Sequence, residues 1–220
     1  MIKKILFLSS VCLLASASFA HADAIGTTAS FTLNQDGCTG TCGTSPFGTV
    51  LLTQTTSSLV TVEVTLFNGD EFIKSGAGDA LEFNLSGDPS PITIAITSPL
   101  TGFSIGPAPD TASAFGSFDY SVTCSGCGKG ASSPLPGPLT FTVTDLAGVG
   151  VSDFIGNGSV KNPATNYFFA ADITGTNSNT GNVAALVAPV TPPSVPEPSS
   201  LLLLGTGIIG AAAEKVKATG

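Results

Sequence analysis

The run SLVTVEVTLF, residues 58–67, decides the fold class of this chain. Its apolar side chains recur at every second position, so Val60, Val62, Val64 and Leu66 fall on one face of an extended strand. Such alternation, rich in β-branched residues, is typical of a half-buried antiparallel strand. The run therefore predicts a strand with one face on a hydrophobic core.

The same period-two pattern recurs over residues 29–34, 80–85, 92–96 and 139–144. The most aromatic predicted strands are 115–122 and 167–174, and the second of these is followed by the run 181–185. Turn formers rich in Gly, Pro, Asn and Asp separate these runs, as at 68–70 and 106–110. No stretch between the first 22 residues and residue 195 has a capped helical period. The sequence thus predicts an all-β fold, an antiparallel β-sandwich of jelly-roll-like type.

The two ends of the chain have a different composition. Residues 1–22 combine a lysine-bearing start, an apolar stretch and the small-x-small pattern Ala20-His21-Ala22, which predicts a secretory signal helix. The domain boundaries that follow are 23–188 for the β-sandwich, 189–198 for a Pro-rich linker, and 199–220 for a short hydrophobic helix.

The C-terminal segment has the order of a membrane-directed signal. Pro196-Glu197-Pro198 cannot continue a helix, and it precedes an uncharged block that ends at Ala213. Counted from Ser199, a helical block would be about 22 Å long, whereas a stable span needs roughly 20 residues. Lys215 and Lys217 follow as flanking positive charges. A transient anchor fits this length better than a permanent one.

These residues resemble the PEP-CTERM sorting signal of exported bacterial proteins. The resemblance implies a transient stay in the inner membrane, where an exosortase, a membrane protease or transpeptidase, processes the chain near Pro196-Glu197-Pro198. Release to the cell surface or extracellular matrix would follow, with exopolysaccharide as a further candidate partner. Lys215 and Lys217 stand where the family has an arginine cluster, since this chain contains no arginine.

Four cysteines remain once the signal peptide is removed. Cys38 and Cys42 form one C-x-x-x-C motif, and Cys124 and Cys127 form a C-x-x-C motif. An even count in an exported chain indicates disulfides, and we favour the two local pairs. A zinc site of all four thiolates and a thioredoxin-like redox pair at Cys124 and Cys127 stay open as alternatives.

Composition excludes most other functions. Residues 23–196 carry thirteen acidic residues against three lysines, a net charge of −10, so nucleic-acid binding is excluded. The only histidine, His21, leaves with the signal peptide, which removes histidine-based catalysis and histidine metal sites. We therefore expect no enzyme, no catalytic residues, no cofactor and no resident metal.

Two functional alternatives stay open. A paired-carboxylate glycosidase is formally possible from a group that we interpret as solvated surface carboxylates, namely Asp70, Glu71, Asp79, Glu82 and Asp88. A secreted carbohydrate- or calcium-binding module is the more serious alternative to a surface or matrix protein. Tyr120 and Tyr167 are the only tyrosines for sugar stacking, and the loops 68–71 and 78–79 offer oxygen ligands for calcium.

Overall fold

The computed structural model describes residues 23–76, 78–86, 91–112, 114–128, 130–156 and 167–186. This part of the chain is nearly all β, with antiparallel pairing throughout and one helical turn, α1 (Asp153–Gly156). The strands in chain order are β1 (Thr28–Leu33), β2 (Gln35–Asp36), β3 (Gly48–Thr56), β4 (Leu59–Leu66), β5 (Glu71–Phe72), β6 (Leu81–Phe83), β7 (Thr93–Ser98), β8 (Ser104–Ile105), β9 (Asp110–Ala112), β10 (Gly116–Phe118), β11 (Tyr120–Thr123), β12 (Leu139–Thr144), β13 (Phe169–Thr174) and β14 (Thr180–Ala185).

The first sheet has five strands in the order β1-β3-β4-β12-β7. The run that decides the fold class forms β4, which pairs with β3 on one side and β12 on the other. Val60, Val62 and Val64 are fully buried, while Glu63 between them is exposed, so the predicted alternation is confirmed here.

The second sheet has seven strands, in the order β2-β14-β13-β6-β11-β8 with β5 added beside β13. Its inner face shares one hydrophobic cluster with the first sheet. Phe83 of β6 lies at the centre, with its ring centroid 5.9 Å from that of Phe141 of β12 and 5.4 Å from that of Phe154 in α1. Two antiparallel sheets that face each other over a common core have the arrangement of a β-sandwich.

The predicted strand 115–122 is wrong as a single element. The structure divides it into β10 and β11, which have different partners: β10 pairs with β9, and β11 pairs with β6 and β8. Asp119 lies at the break, and its backbone N–H is donated to the Asn84 side-chain oxygen at 2.7 Å instead of to a strand. A buried asparagine just after the end of β6 therefore ends one ladder before the next begins.

The longest strand, β3, has no counterpart among the predicted runs. Leu51, which is partly exposed, stands between the buried Val50 and Leu52 and hides the alternation. Gln54 is buried as well: its Nε2 donates to the Val149 carbonyl at 2.8 Å, and its Oε1 accepts from the Val151 N–H at 3.0 Å. This polar side chain is buried because it satisfies the backbone of the 148–151 loop.

A short ribbon lies over the outer face of the second sheet. It consists of β9 and β10, and its Ala112, Phe115 and Phe118 form a separate buried cluster with Ala170 and Ala184. The outer face of β13 and β14 is therefore shielded from water as well as the inner face. This third layer creates the candidate site.

The predicted ends lie outside the described residues. They comprise the signal helix 1–22, the linker 189–198 and the hydrophobic segment 199–220 with Lys215 and Lys217. Within the described part, no helix has the length and apolar character needed to cross a membrane.

Candidate functional site

Four carboxyl side chains from different elements approach one another beneath the β9–β10 ribbon. Asp79 precedes β6, Glu82 lies in β6, Asp110 begins β9, and Asp172 lies in β13. We call these four residues the carboxyl cluster. Strand alternation places Glu82 and Asp172 on the outer face, because their neighbours Leu81, Phe83, Ala171 and Ile173 all belong to the inner core.

The register of the sheet brings polar partners to the same place. Glu82 lies opposite Ser121 of β11 and also opposite Ala170 of β13. Asp172, two positions further along β13, lies opposite Asn182 of β14. Such diagonal neighbours are roughly 7–8 Å apart at the backbone, within reach of a glutamate side chain.

Asp79 is the best-connected member of the cluster. Its Oδ2 accepts a hydrogen bond from the Ser121 hydroxyl at 2.7 Å, and its Oδ1 lies 3.6 Å from the Lys74 ammonium. Its backbone carbonyl accepts from the Asp172 N–H at 2.9 Å, which ties it to β13. The Asp79 side chain is almost fully buried, whereas 45% of the Lys74 side chain is exposed. Lys74 therefore lies at the rim of the cluster.

Ser75 hydrogen-bonds to both oxygens of the Asp172 carboxyl group. The Ser75 backbone N–H donates to its Oδ2 at 2.6 Å, and the Ser75 hydroxyl lies 2.8 Å from its Oδ1. Burial raises the pKa of Asp172 to about 6, the Ser75 hydrogen bonds oppose the shift, and the charge of Asp79 adds to it. Its oxygens are thus largely engaged.

Glu82 is fully buried, and neither of its carboxyl oxygens makes a hydrogen bond. Burial, followed by the negative charges of Asp110, Asp79 and Asp172, raises the pKa of Glu82 to about 9. The Asp79 backbone N–H is close enough to oppose this shift in part, but its geometry does not make a hydrogen bond to either oxygen. At neutral pH, and with nothing else bound, this side chain carries a proton.

Asp110 closes the cluster from the ribbon. Burial raises its pKa, and contact with the Asp79 carboxyl group raises it further. The Thr111 backbone N–H donates to its Oδ1 at 2.8 Å, which favours the charged form.

The predicted carboxylate group has a mixed outcome. The interpretation of these residues as solvated surface groups is wrong for Asp70, Asp79 and Glu82, which are buried at 7%, 1% and 0% exposure. The structure brings Asp79 and Glu82 together. Asp70 lies in the turn before β5, and Glu71 is the first residue of that strand. Asp88 lies outside the described residues.

Sequence reasoning missed Asp110 and Asp172 as site residues. Asp172 interrupts an otherwise apolar run, FFAADI at 168–173, and a charged residue within a strand buried on both faces was the available signal. Asp110 gave none, since it follows a Gly/Pro-rich turn in which aspartate is common.

The cysteines form two local disulfides. Cys38 is bonded to Cys42, and Cys124 is bonded to Cys127. In this state none of the four offers a thiolate, so the arrangement does not supply the zinc site of four cysteines. Among the described residues, only Asp36, Cys38 and Cys42 bring three possible metal donors within 4.8 Å of one another, and both of these sulfurs are in the disulfide.

Hydrogen bonds from Asp36 and from the β13–β14 turn hold the first disulfide loop in place. Asp36 Oδ1 accepts from the Cys38 N–H at 2.9 Å, and its Oδ2 accepts from the Thr41 hydroxyl at 2.7 Å. The side-chain amides of Asn177 and Asn179, in the β13–β14 turn, both donate to the Thr41 carbonyl, at 2.7 and 2.8 Å. Asp36 thus has a structural role in this loop.

The second disulfide borders a cavity of about 530 Å³. The residues that line it are Lys74, Ser75, Gly76, Cys127, Gly128 and Gly130. The loop is anchored by the Gly126 N–H, which donates to the Gly102 carbonyl at 2.9 Å. No helix packs beside this pair in the described residues, so the surroundings are not those of a thioredoxin-like motif.

Together these features define an acidic, disulfide-bonded, all-β domain that precedes a C-terminal sorting segment. The family model of the PEP-CTERM protein-sorting motif matches residues 194–213, so the chain carries this motif at its C-terminal end. The motif implies export and processing by exosortase, a membrane enzyme. The match includes Pro196, Glu197 and Pro198, which lie outside the described residues.

Comparison with curated proteins and with solved structures gives no match to this chain. The β-domain is therefore interpreted from its own residues.

Proposed function

We propose that this chain is a non-enzymatic exported β-sandwich protein of the cell surface or extracellular matrix. An exosortase recognises its C-terminal signal, processes it near Pro196-Glu197-Pro198 and releases the domain from a transient position in the inner membrane. The observation that carries the proposal is the PEP-CTERM motif at residues 194–213. The signal-peptide pattern at residues 1–22 supports the same route, because sorting requires prior export.

The domain has properties that suit an extracellular location. Two disulfides close its loops, and an oxidising environment preserves such bonds. The chain also crosses between the two sheets repeatedly, with β1, β3, β4, β7 and β12 in one and β2, β5, β6, β8, β11, β13 and β14 in the other. These crossings support a jelly-roll-like class as the finer description of the sandwich.

The non-enzymatic part of the proposal rests on what the domain lacks and on what it covers. Residues 23–196 contain no histidine and no arginine, so a nucleophile has no histidine base and an oxyanion has no guanidinium. Asp79 and Glu82 are the closest approach to a glycosidase pair, and both are buried beneath the β9–β10 ribbon. A sugar ring cannot lie between two carboxyls that the protein itself encloses.

No observation favours carbohydrate binding as a second function. The Tyr120 ring stacks on Phe83, with centroids 5.6 Å apart, and the Tyr167 ring packs on Phe115 at 4.8 Å. Both rings serve internal packing, so neither offers a free platform for exopolysaccharide.

Substitution within the motif tests the proposed route. We expect replacement of Pro196, Glu197 and Pro198 by alanine to trap a longer form in the inner membrane, because the processing site is lost while the apolar block remains. Replacement of Pro192 and Pro193 by alanine is the matched control: it removes two linker prolines outside residues 194–213 and should leave sorting unchanged.

Deletion of residues 201–220 gives the complementary result. Without the apolar block the protein should accumulate in soluble form in the periplasm and should not reach the surface, as measured by fractionation and immunoblotting. Equal surface delivery of the wild type, the motif variant and the deletion would refute exosortase sorting.

A further inference from the structure

The carboxyl cluster concentrates negative charge that the protein does not neutralise. It holds four carboxyl groups, and the only described ion pair it makes is the 3.6 Å contact between Asp79 and Lys74. Burying an ionised carboxylate without a partner is strongly unfavourable, and one half-exposed ammonium pairs with only one of these groups. Such a group is stable only if it takes up protons or a cation.

Glu82 is the second observation, independent of the number of acids. It is 0% exposed and no hydrogen bond satisfies either oxygen, although it lies among groups that could have been paired. A structural glutamate at this depth would be expected to have donors around it. Its register partner across the sheet is Ser121, whose hydroxyl donates to Asp79 Oδ2 at 2.7 Å, so Glu82 lies beside the other carboxyl groups of the cluster.

We propose that the carboxyl cluster is a calcium site, in which Glu82, Asp79 and Asp110 supply the carboxylate ligands beneath the β9–β10 ribbon. Asp172 of β13 is not counted as a ligand, because Ser75 already engages both of its oxygens, and it contributes negative charge to the site instead. The proposal goes beyond sorting, and binding by the purified protein does not depend on it.

The donor chemistry selects the class of ion. The candidate ligand atoms at the cluster are oxygens: those of the carboxyls, the Ser121 hydroxyl and the Pro107 carbonyl, which lies 3.0 Å from that hydroxyl. Oxygen-only donors suit hard cations, whereas zinc and copper favour nitrogen and sulfur. Calcium accepts six to eight oxygens in irregular geometry, while magnesium requires a near-ideal octahedron. A site assembled from β6, β9 and the segment before β6 fits calcium better.

The cluster is more open than a closed coordination shell, because its carboxyl oxygens, taken one from each residue, do not all lie within 4.8 Å of one another. Glu82 is the ligand that can move inward, because no hydrogen bond holds it. Lys74 is the group that can move outward, because much of its side chain is already in solvent. Gly106 permits the close packing: a Cβ there would lie 2.2 Å from Asp79 Oδ2 and 2.0 Å from Ser121 Oγ.

Calcium-dependent stability of the exported protein tests the proposal. After treatment with EGTA and dialysis at pH 8, we expect 10 mM CaCl₂ to raise the melting temperature by roughly 3–10 °C, given an extracellular-type Kd of about 10⁻⁴–10⁻³ M. The same concentration of MgCl₂ should have a much smaller effect. Calorimetric titration with CaCl₂ should give one site, with binding that weakens from pH 8 to pH 6 as protons compete.

Glu82→Gln should remove the calcium response and keep the fold, because the amide matches the carboxyl in shape. Glu63→Gln is the matched control, since Glu63 is exposed on β4 and far from the cluster, and its calcium response should equal that of the wild type. Circular dichroism verifies that both variants are folded. An absent calcium shift in the wild type, or an equal shift in Glu82→Gln, would overturn the proposal.

Discussion

Glu82 has a measurable effect on the stability of the apo protein. Its pKa is about 9 in the folded state against an ordinary 4.5, so between these values the folded protein holds a proton that the unfolded chain releases. Stability therefore falls as pH rises through this window. Asp172, with a pKa of about 6 against 3.8, acts in the same direction over the lower part of it. This is the opposite of ordinary acid denaturation, in which paired carboxylates lose their stabilising charge.

We predict that Glu82→Gln stabilises the calcium-free protein at pH 8 by on the order of a few kcal/mol, because it removes a buried ionisable group. The gain should shrink towards pH 5. Urea unfolding at several pH values in EGTA measures it, with Glu63→Gln as the control. A wild-type stability that rises steadily from pH 5 to pH 8 would contradict the assignment of raised pKa values.

For individual residues, the sequence predicted which face of a strand each side chain occupies. It did not predict whether the outer face of that strand is covered. Alternation in residues 80–85 places Leu81 and Phe83 on the core side, and the structure agrees. It also places Glu82 on the opposite face, but whether that face meets water depends on a ribbon formed 28 residues later in the chain. A local pattern contains no information on that non-local covering layer.

The first disulfide loop, closed by Cys38 and Cys42, packs against a turn of the second sheet. The first loop is docked on the β13–β14 turn through Asn177 and Asn179, so three hydrogen-bonded segments share one small region. Gly181 allows this close approach, since a Cβ there would lie 2.7 Å from the Cys38 Cα. The loop is thus held by polar contacts as well as by its covalent bond.

We predict that Cys38→Ser combined with Cys42→Ser lowers the free energy of unfolding by about 2 kcal/mol and leaves the domain folded, because short loops gain little from cross-linking. Thermal melting followed by circular dichroism measures the change. The wild type should show no free thiol in alkylation mass spectrometry, and peptide mapping should link Cys38 to Cys42 and Cys124 to Cys127. Four titratable thiols with stoichiometric zinc would contradict this pairing.

Elements were predictable where alternation was long and uninterrupted. Residues 139–144 form β12 with the predicted bounds, and residues 58–67 contain β4. The sequence failed at β3, where an outward Leu51 disguises the pattern, and at Asp119, where the Asn84 side chain ends a ladder. Both failures depend on partners distant in sequence, which no local window contains.

At the scale of the whole molecule, a folded acidic domain precedes the PEP-CTERM sorting motif at residues 194–213. The domain buries its hydrophobic side chains in two clusters, one shared by the two sheets and a second beneath the ribbon. The sorting motif at residues 194–213 follows the last described strand, β14, so processing near Pro196-Glu197-Pro198 leaves that strand intact. Release of the domain therefore requires no unfolding of its sheets.

The intact mass of the protein recovered from the cell surface or medium tests exosortase sorting most directly. We predict a chain that begins at Asp23, ends near Pro196-Glu197-Pro198, lacks the apolar block from Leu201 onward, and carries two disulfides. Protein at the surface whose mass includes Lys215, Lys217 and the original Gly220 would contradict the account, and a simple hydrophobic anchor would then replace the sorting signal.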